Sequence, residues 1–241
     1  MAVDLILVPG LMCDDAVWQP LLPRLAPVAA CRVVDHGDAD DLVVMARRLL
    51  DAAPPRFALA GHSMGGRVAL EVMRQEPGRV ERLALLDTGY RSRAAGAAGD
   101  EEARKRQALL DVARAQGVRA MARRWVQDMV HPARLDDAAL VERIVAMFER
   151  KSADTFARQV RALLGRPDAT DVLRTVRVPT LVMCGRADGW APVAQHEEIT
   201  SLIPPGHATL RVIEDTGHMS TMERPDAVAD VMLEWLATPA R

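Results

Sequence analysis

The chain of 241 residues has only three cysteines, Cys13, Cys31 and Cys184, widely spaced and without a Cys-x-x-Cys pair. That excludes a disulfide framework and a thiolate zinc site, and it points to a reducing compartment. No apolar run approaches the roughly 18 residues that span a bilayer, so no membrane partner is expected. Nor is there an excess of one charge: 31 Lys and Arg face 33 Asp and Glu, a net charge of -2. That balance gives no electrostatic reason for a nucleic-acid partner. The basic residues are nearly all arginine and are interleaved with acids, the pattern of solvated helix faces. H-E-x-x-H, P-loop and helix-opening G-x-G-x-x-G patterns are missing, as are internal repeats and low-complexity tracts. No metal or cofactor is therefore expected. Before Pro9-Gly10 there is no basic leader and no long apolar stretch, so no signal peptide is expected and the cytoplasm is the default location.

What is present is ample apolar content, 49% of residues, with 27% charged. This suits one large α/β domain, or a core with a modest insertion. Short apolar runs recur, each closed by turn residues: Leu5–Val8, Phe57–Ala60, Leu83–Leu86, Thr180–Cys184 and Thr209–Ile213, with 32–34 as a weaker sixth. Runs apolar on both faces predict strands covered by helices on each side, as in a parallel sheet. Helical patterns at 16–25, 42–50, 64–75 and 225–236 alternate with them. The expectation is a doubly wound, mostly parallel sheet of about six strands with right-handed crossovers.

One stretch breaks the alternation. Residues 94–170 show no convincing strand but four amphipathic helical patterns, at 101–116, 118–129, 136–149 and 152–164. We expect an all-helical lid at 94–170 inserted in a core formed by 1–93 and 171–241. Its methionines, such as Met121, Met129 and Met147, read mostly as core fillers, with a few able to line an adaptable pocket.

The strongest local signal is Gly61-His62-Ser63-Met64-Gly65-Gly66, a G-x-S-x-G sequence between an apolar strand and a helix. Small residues flank the serine because the chain must turn sharply there, leaving its hydroxyl exposed at the head of a helix. A serine hydroxyl needs a base within hydrogen-bonding reach, and in an open parallel sheet reactive groups collect beyond the carboxyl ends of the strands. His218 follows the last strand, at that edge. His36 is the nearest rival, His207 belongs to the opposite edge, and His62 shares the turn of Ser63. The imidazole needs a carboxylate to fix its tautomer. Asp188 follows the Thr180 strand, and Asp87, after the Leu83 strand, is the alternative. Cys13 reads as a packing thiol and Asp14-Asp15 as a helix start.

The order Ser63, Asp188, His218 is similar to the nucleophile–acid–base order of α/β hydrolases. Val8-Pro9-Gly10-Leu11 resembles that family's oxyanion loop, although a histidine often stands where Pro9 does. Gly61–Gly66 resembles its nucleophile elbow, Gly185-Arg186-Ala187-Asp188 its acid loop and Gly217-His218 its histidine loop. The resemblance runs from first strand to last helix, and lacks the N-terminal hairpin of many members. It implies an oxyanion hole from the backbone N–H groups of Met64, which the elbow geometry also supports, and Leu11, with Met12 as a substitute. It is nearest to small bacterial carboxylesterases, including those acting on a carrier-protein-bound methyl ester. The implied reaction is acyl-enzyme hydrolysis of a small, largely apolar ester, thioester or lactone by a monomer or homodimer. A slight basic excess in the lid makes a carrier protein a weaker expectation. Carbon–carbon hydrolysis, acyl transfer, perhydrolysis or a lyase reaction on the same triad stays open, as, more remotely, does a non-catalytic binding protein.

Overall fold

The computed structural model describes residues 3–239; residues 1–2 and 240–241, counted above in the core, lie outside the described range. Six strands form one sheet: β1 (Val3–Val8), β2 (Ala29–Val33), β3 (Phe57–His62), β4 (Val80–Leu86), β5 (Thr180–Gly185) and β6 (Ala208–Ile213). Their order is β2-β1-β3-β4-β5-β6 and every adjacent pair is parallel. The sheet is thus wholly parallel where a mostly parallel one was expected.

Position in the sheet follows apolar content. β3 and β5 are buried at every residue, whereas the edge strands β2 and β6 alternate between covered and uncovered positions. Side chains such as Leu59, Leu85 and Val182 are wholly buried, each stabilising the fold by about 1.5–3 kcal/mol relative to exposure. The chain crosses from strand to strand through helices on both faces. On one face α2 (Leu42–Ala52), α3 (Met64–Gln75), α8 (Thr170–Thr175) and α9 (Val193–Leu202) pack in succession. On the other, α1 (Leu22–Leu25) packs against α11 (Pro225–Ala237), which covers β5 and β6. A one-turn helix, α10 (Ser220–Glu223), precedes α11.

Local chemistry sets the helix boundaries. The Asp41 carboxylate accepts the Val43 and Val44 N–H groups at 2.7 and 3.2 Å, starting α2. Pro20 and Pro23 break the expected 16–25 helix, which is instead a 3-10 turn at Asp15–Val17 followed by the short α1. Asp14 caps that turn, accepting from Ala16 N at 3.0 Å.

Between β4 and α8 lies the helical block: α4 (Ala97–Gln116), α5 (Val118–Trp125), α6 (Ala138–Glu149) and α7 (Ala153–Leu164). Gly117 at φ 88° allows the turn between α4 and α5. Met121, Ile144, Met147 and Phe156 are wholly buried inside the block. Two of its contacts reach the loop after β1. Arg150 donates to both oxygens of Asp14, at 2.7 and 2.9 Å, and the buried Gln159 accepts the Met12 N–H at 2.7 Å.

Candidate active site

The carboxyl ends of β1, β3, β4, β5 and β6 face the underside of the helical block, and loops from these ends carry the polar groups. β3 ends at His62 and α3 begins at Met64, leaving Ser63 between them at φ 55° and ψ −117°. Such a backbone costs a non-glycine residue on the order of 1–3 kcal/mol. Here the surroundings enforce it: Ser63 N donates to the Leu86 carbonyl at 2.9 Å, and Thr88 Oγ1 donates to the Ser63 carbonyl at 2.6 Å. Gly65 has no room for a side chain, because a Cβ there would fall on the Val8 carbonyl.

Ser63, His218 and Asp188 meet in one hydrogen-bonded chain. His218 Nε2 lies 2.8 Å from Ser63 Oγ, and Nδ1 lies 2.8 Å from Asp188 Oδ2. The second Asp188 oxygen accepts the N–H groups of Trp190 and Ala191 at 2.8 and 2.9 Å. Burial opposes ionisation of Asp188, but the charge and hydrogen bond of His218, with those two N–H groups, hold its carboxyl below the usual range. Burial likewise disfavours a charged His218, yet Asp188, aided by Asp87 and Glu223, raises the imidazole above its ordinary value.

Asp87 is placed otherwise. It is fully buried, accepts the Gly185 N–H at 2.9 Å and is hydrogen-bonded to the Ser220 hydroxyl. Burial, then the negative charge of Asp188, pushes its carboxyl well above the ordinary range. It is not hydrogen-bonded to His218. Its work is to tie the β4, β5 and histidine loops together.

The remaining histidines serve the loops. His36 Nε2 lies 2.9 Å from the Pro9 carbonyl and steadies the loop that carries Leu11. His62 turns away from Ser63, its Nε2 being 2.9 Å from the His218 carbonyl; burial, then the neighbouring His218, pushes it down to about 4, so it is neutral. His196 Nε2 accepts the Thr88 N–H at 3.1 Å. His131 Nδ1 accepts from Ala133 N in the helical block. His207 precedes β6, at the opposite end of the strands.

The Met64 N–H opens α3 and so has no acceptor within its helix. Leu11 is buried and lines the same cavity as Met64. Met12, weighed as a substitute donor, has its N–H taken by Gln159. Cys13 is buried and its thiol is pushed up, chiefly by burial, which leaves it an unreactive packing group.

Sequence reasoning passed over Glu223. This buried carboxylate accepts the N–H groups of Gly217 at 3.0 Å, Met219 at 3.2 Å and His131 at 2.8 Å. The His218 N–H donates to the Met129 carbonyl at 2.6 Å. The histidine loop is therefore bonded at two points to residues 129–131 of the helical block.

Ser63 and His218 open into a cavity of about 620 Å³ beneath that block. Of the three Phe, four Trp and one Tyr in the chain, Trp125, Phe148, Phe156 and Trp190 line it. The two indoles stack at 5.5 Å, and the Trp190 ring lies 4.9 Å from that of His218. Met129 also contributes, whereas Met121 and Met147 lie in the block's interior.

Comparison with known proteins agrees with this architecture. The family described as Alpha/beta hydrolase matches residues 5–231. The chain is 27% identical to the pimeloyl-[acyl-carrier protein] methyl ester esterase of Photobacterium profundum, over 97% of this chain and 94% of that protein. Among solved structures, a thermophilic esterase from Thermogutta terrifontis superposes with a TM-score of 0.84 at 25% identity, covering 100% of this chain and 92% of that one. The enol-lactonase of Burkholderia xenovorans shares the fold, with a TM-score of 0.84 at 21% identity, covering 98% and 92%.

Proposed function

The chain belongs to the alpha/beta hydrolase family, and from that premise we propose that it hydrolyses a carboxylic ester, thioester or lactone with Ser63 as nucleophile. The observation that carries this reading is the unbroken chain Ser63 Oγ, His218, Asp188, with both links at 2.8 Å, at the floor of a cavity. His218 Nε2 takes the hydroxyl proton as Ser63 Oγ attacks the carbonyl, and Asp188 holds Nδ1–H and stabilises the imidazolium. The N–H groups of Met64 and Leu11 receive the negative charge that develops on the carbonyl oxygen, an interaction whose loss typically costs about 100- to 1,000-fold in rate. His218 then returns the proton to the leaving group, and later activates the water that releases the acid. A carrier-protein-linked ester falls within this class, as in the Photobacterium relative.

The test is labelling by a fluorophosphonate followed by an activity panel of esters, thioesters and lactones. We expect one covalent adduct, on Ser63, and release of free acid from at least one substrate class. An intact protein without an adduct at residue 63 would refute the reading, and products formed only with peroxide or alcohol acceptors would favour perhydrolysis or acyl transfer.

A pH dependence follows. His218 must be neutral to accept the proton, and its environment raises it above the ordinary histidine value of about 6.5. Activity is lost as pH falls and the imidazole charges, so the acid limb of kcat/KM should have its midpoint above about 6.5. A midpoint below that value in a pH–rate profile contradicts the assignment of His218 as base.

A further inference from the structure

The cavity has a second end that attack by Ser63 does not explain. Arg67 lies on α3 one helical turn beyond Ser63, on the same helix face, and lines the same cavity. Its Nη1 donates to the Arg91 carbonyl at 2.9 Å, and Arg166 Nε reaches that same oxygen at 3.3 Å, so two guanidinium groups lie side by side. Arg166 and Arg106 are both bonded to Glu102, at 2.7 to 3.0 Å. Arg106 and Arg166 thus share one carboxylate, and Arg67 is bonded to a carbonyl only. The Asp168 carboxylate is engaged by the N–H groups of Thr170 and Ser92 at 2.8 and 3.4 Å. Among the described residues, no carboxylate is within ion-pair distance of Arg67.

The loop after β4 is shaped around this side chain. A Cβ at Gly89 would stand 2.5 Å from Arg67 Nη2, so a larger residue there would push the guanidinium aside. Burial, then the like charge of Arg166, pushes Arg67 down to about 9, which still leaves it cationic at neutral pH. A half-buried cation without a counter-ion is costly unless something else supplies the anion. The planar guanidinium fork matches a carboxylate with two parallel hydrogen bonds.

We propose that Arg67, beside Arg166, is a specificity-determining subsite for a substrate that carries a free carboxylate in addition to the bond being cleaved. The inference rests on the ester-hydrolase reading above for its reaction, but its binding claim can be tested without turnover. Neutral esters and esters of equal length bearing a terminal carboxylate are compared on the unaltered protein and on Arg67→Met. Binding of the corresponding dicarboxylates is measured by calorimetry on both.

The unaltered protein should favour the carboxylate-bearing ester, with the preference shrinking as salt rises. Arg67→Met should raise KM for that ester by about 10- to 100-fold more than for the neutral one, with kcat less affected, and Arg67→Lys should recover part of the loss. Equal handling of the two esters by the unaltered protein, together with dicarboxylate binding that does not depend on Arg67, overturns the proposal. Arg67-dependent dicarboxylate binding with no turnover of any ester would uphold the subsite and reject the reaction.

Discussion

Replacing Ser63 with alanine is expected to lower ester turnover by about a million-fold, the loss seen when a member of a cooperating nucleophile–base pair is removed. The other groups cannot replace it. The His218 base stands 2.8 Å from the Ser63 oxygen and would face only a methyl group, and Cys13 is a buried, protonated thiol. Some acceleration over water should survive, on the order of 1,000- to 10,000-fold, because the proposed backbone donors at Met64 and Leu11 are untouched. The fold should tolerate the change, since Ser63 is held at φ 55° by main-chain bonds and by the Thr88 hydroxyl, none of which uses the serine side chain. Steady-state kinetics and circular dichroism on the purified variant are the measurements. Ester hydrolysis within tenfold of the parent would remove Ser63 from the mechanism.

The second large effect separates two buried carboxylates. Asp188→Asn should cost about 10,000-fold in turnover, because an amide at that position presents the wrong partner to Nδ1 and favours the unproductive tautomer. Asp87→Asn should cost no more than about tenfold. Asp87 makes no hydrogen bond to His218, and burial, then the charge of Asp188, makes its carboxyl harder to ionise than that of Asp188. Its acceptor role toward the Gly185 N–H is one that an amide oxygen can keep. Reversed magnitudes in the two variants would transfer the acid's role to Asp87 and reject Asp188.

Both carboxylates follow a strand ending at the same rim, which is why sequence could propose both, with Asp188 preferred and Asp87 as the alternative. The central strands were legible because burial on both faces leaves unbroken apolar runs: β3, β4 and β5 sit within a residue or two of the runs at 57, 83 and 180, though β4 starts earlier, at Val80. β2 was faint for the converse reason. As an edge strand it alternates covered and uncovered residues, and it begins at Ala29-Ala30, which have little β preference. Elbow, acid loop and histidine loop were legible because each requires small residues at fixed offsets.

What sequence could not supply is partnership at long range. Gln159 lies 147 positions from the Met12 N–H that it accepts, and the Trp125–Trp190 stack joins the helical block to the acid loop. Glu223 carried a faint signal, an acid just after the candidate histidine. Arg67 carried a clearer one, as a charged side chain a single turn past Ser63 on its own helix. The expectation of a largely apolar substrate did not take account of the arginines, because Arg67 on α3, Arg106 on α4 and Arg166 after α7 are far apart in sequence.

The stitching of residues 129–131 to the histidine loop bears on how a substrate can enter. Met129 holds the main chain of the base, and Glu223 grips both sides of the seam. A hinge that swung those residues outward would drag the imidazole off its target, so admission by that route and readiness to react exclude each other. On the proposed mechanism, opening along that seam would break the His218 N–H bond to Met129, so a molecule that enters while His218 stays on Ser63 would pass elsewhere along the rim.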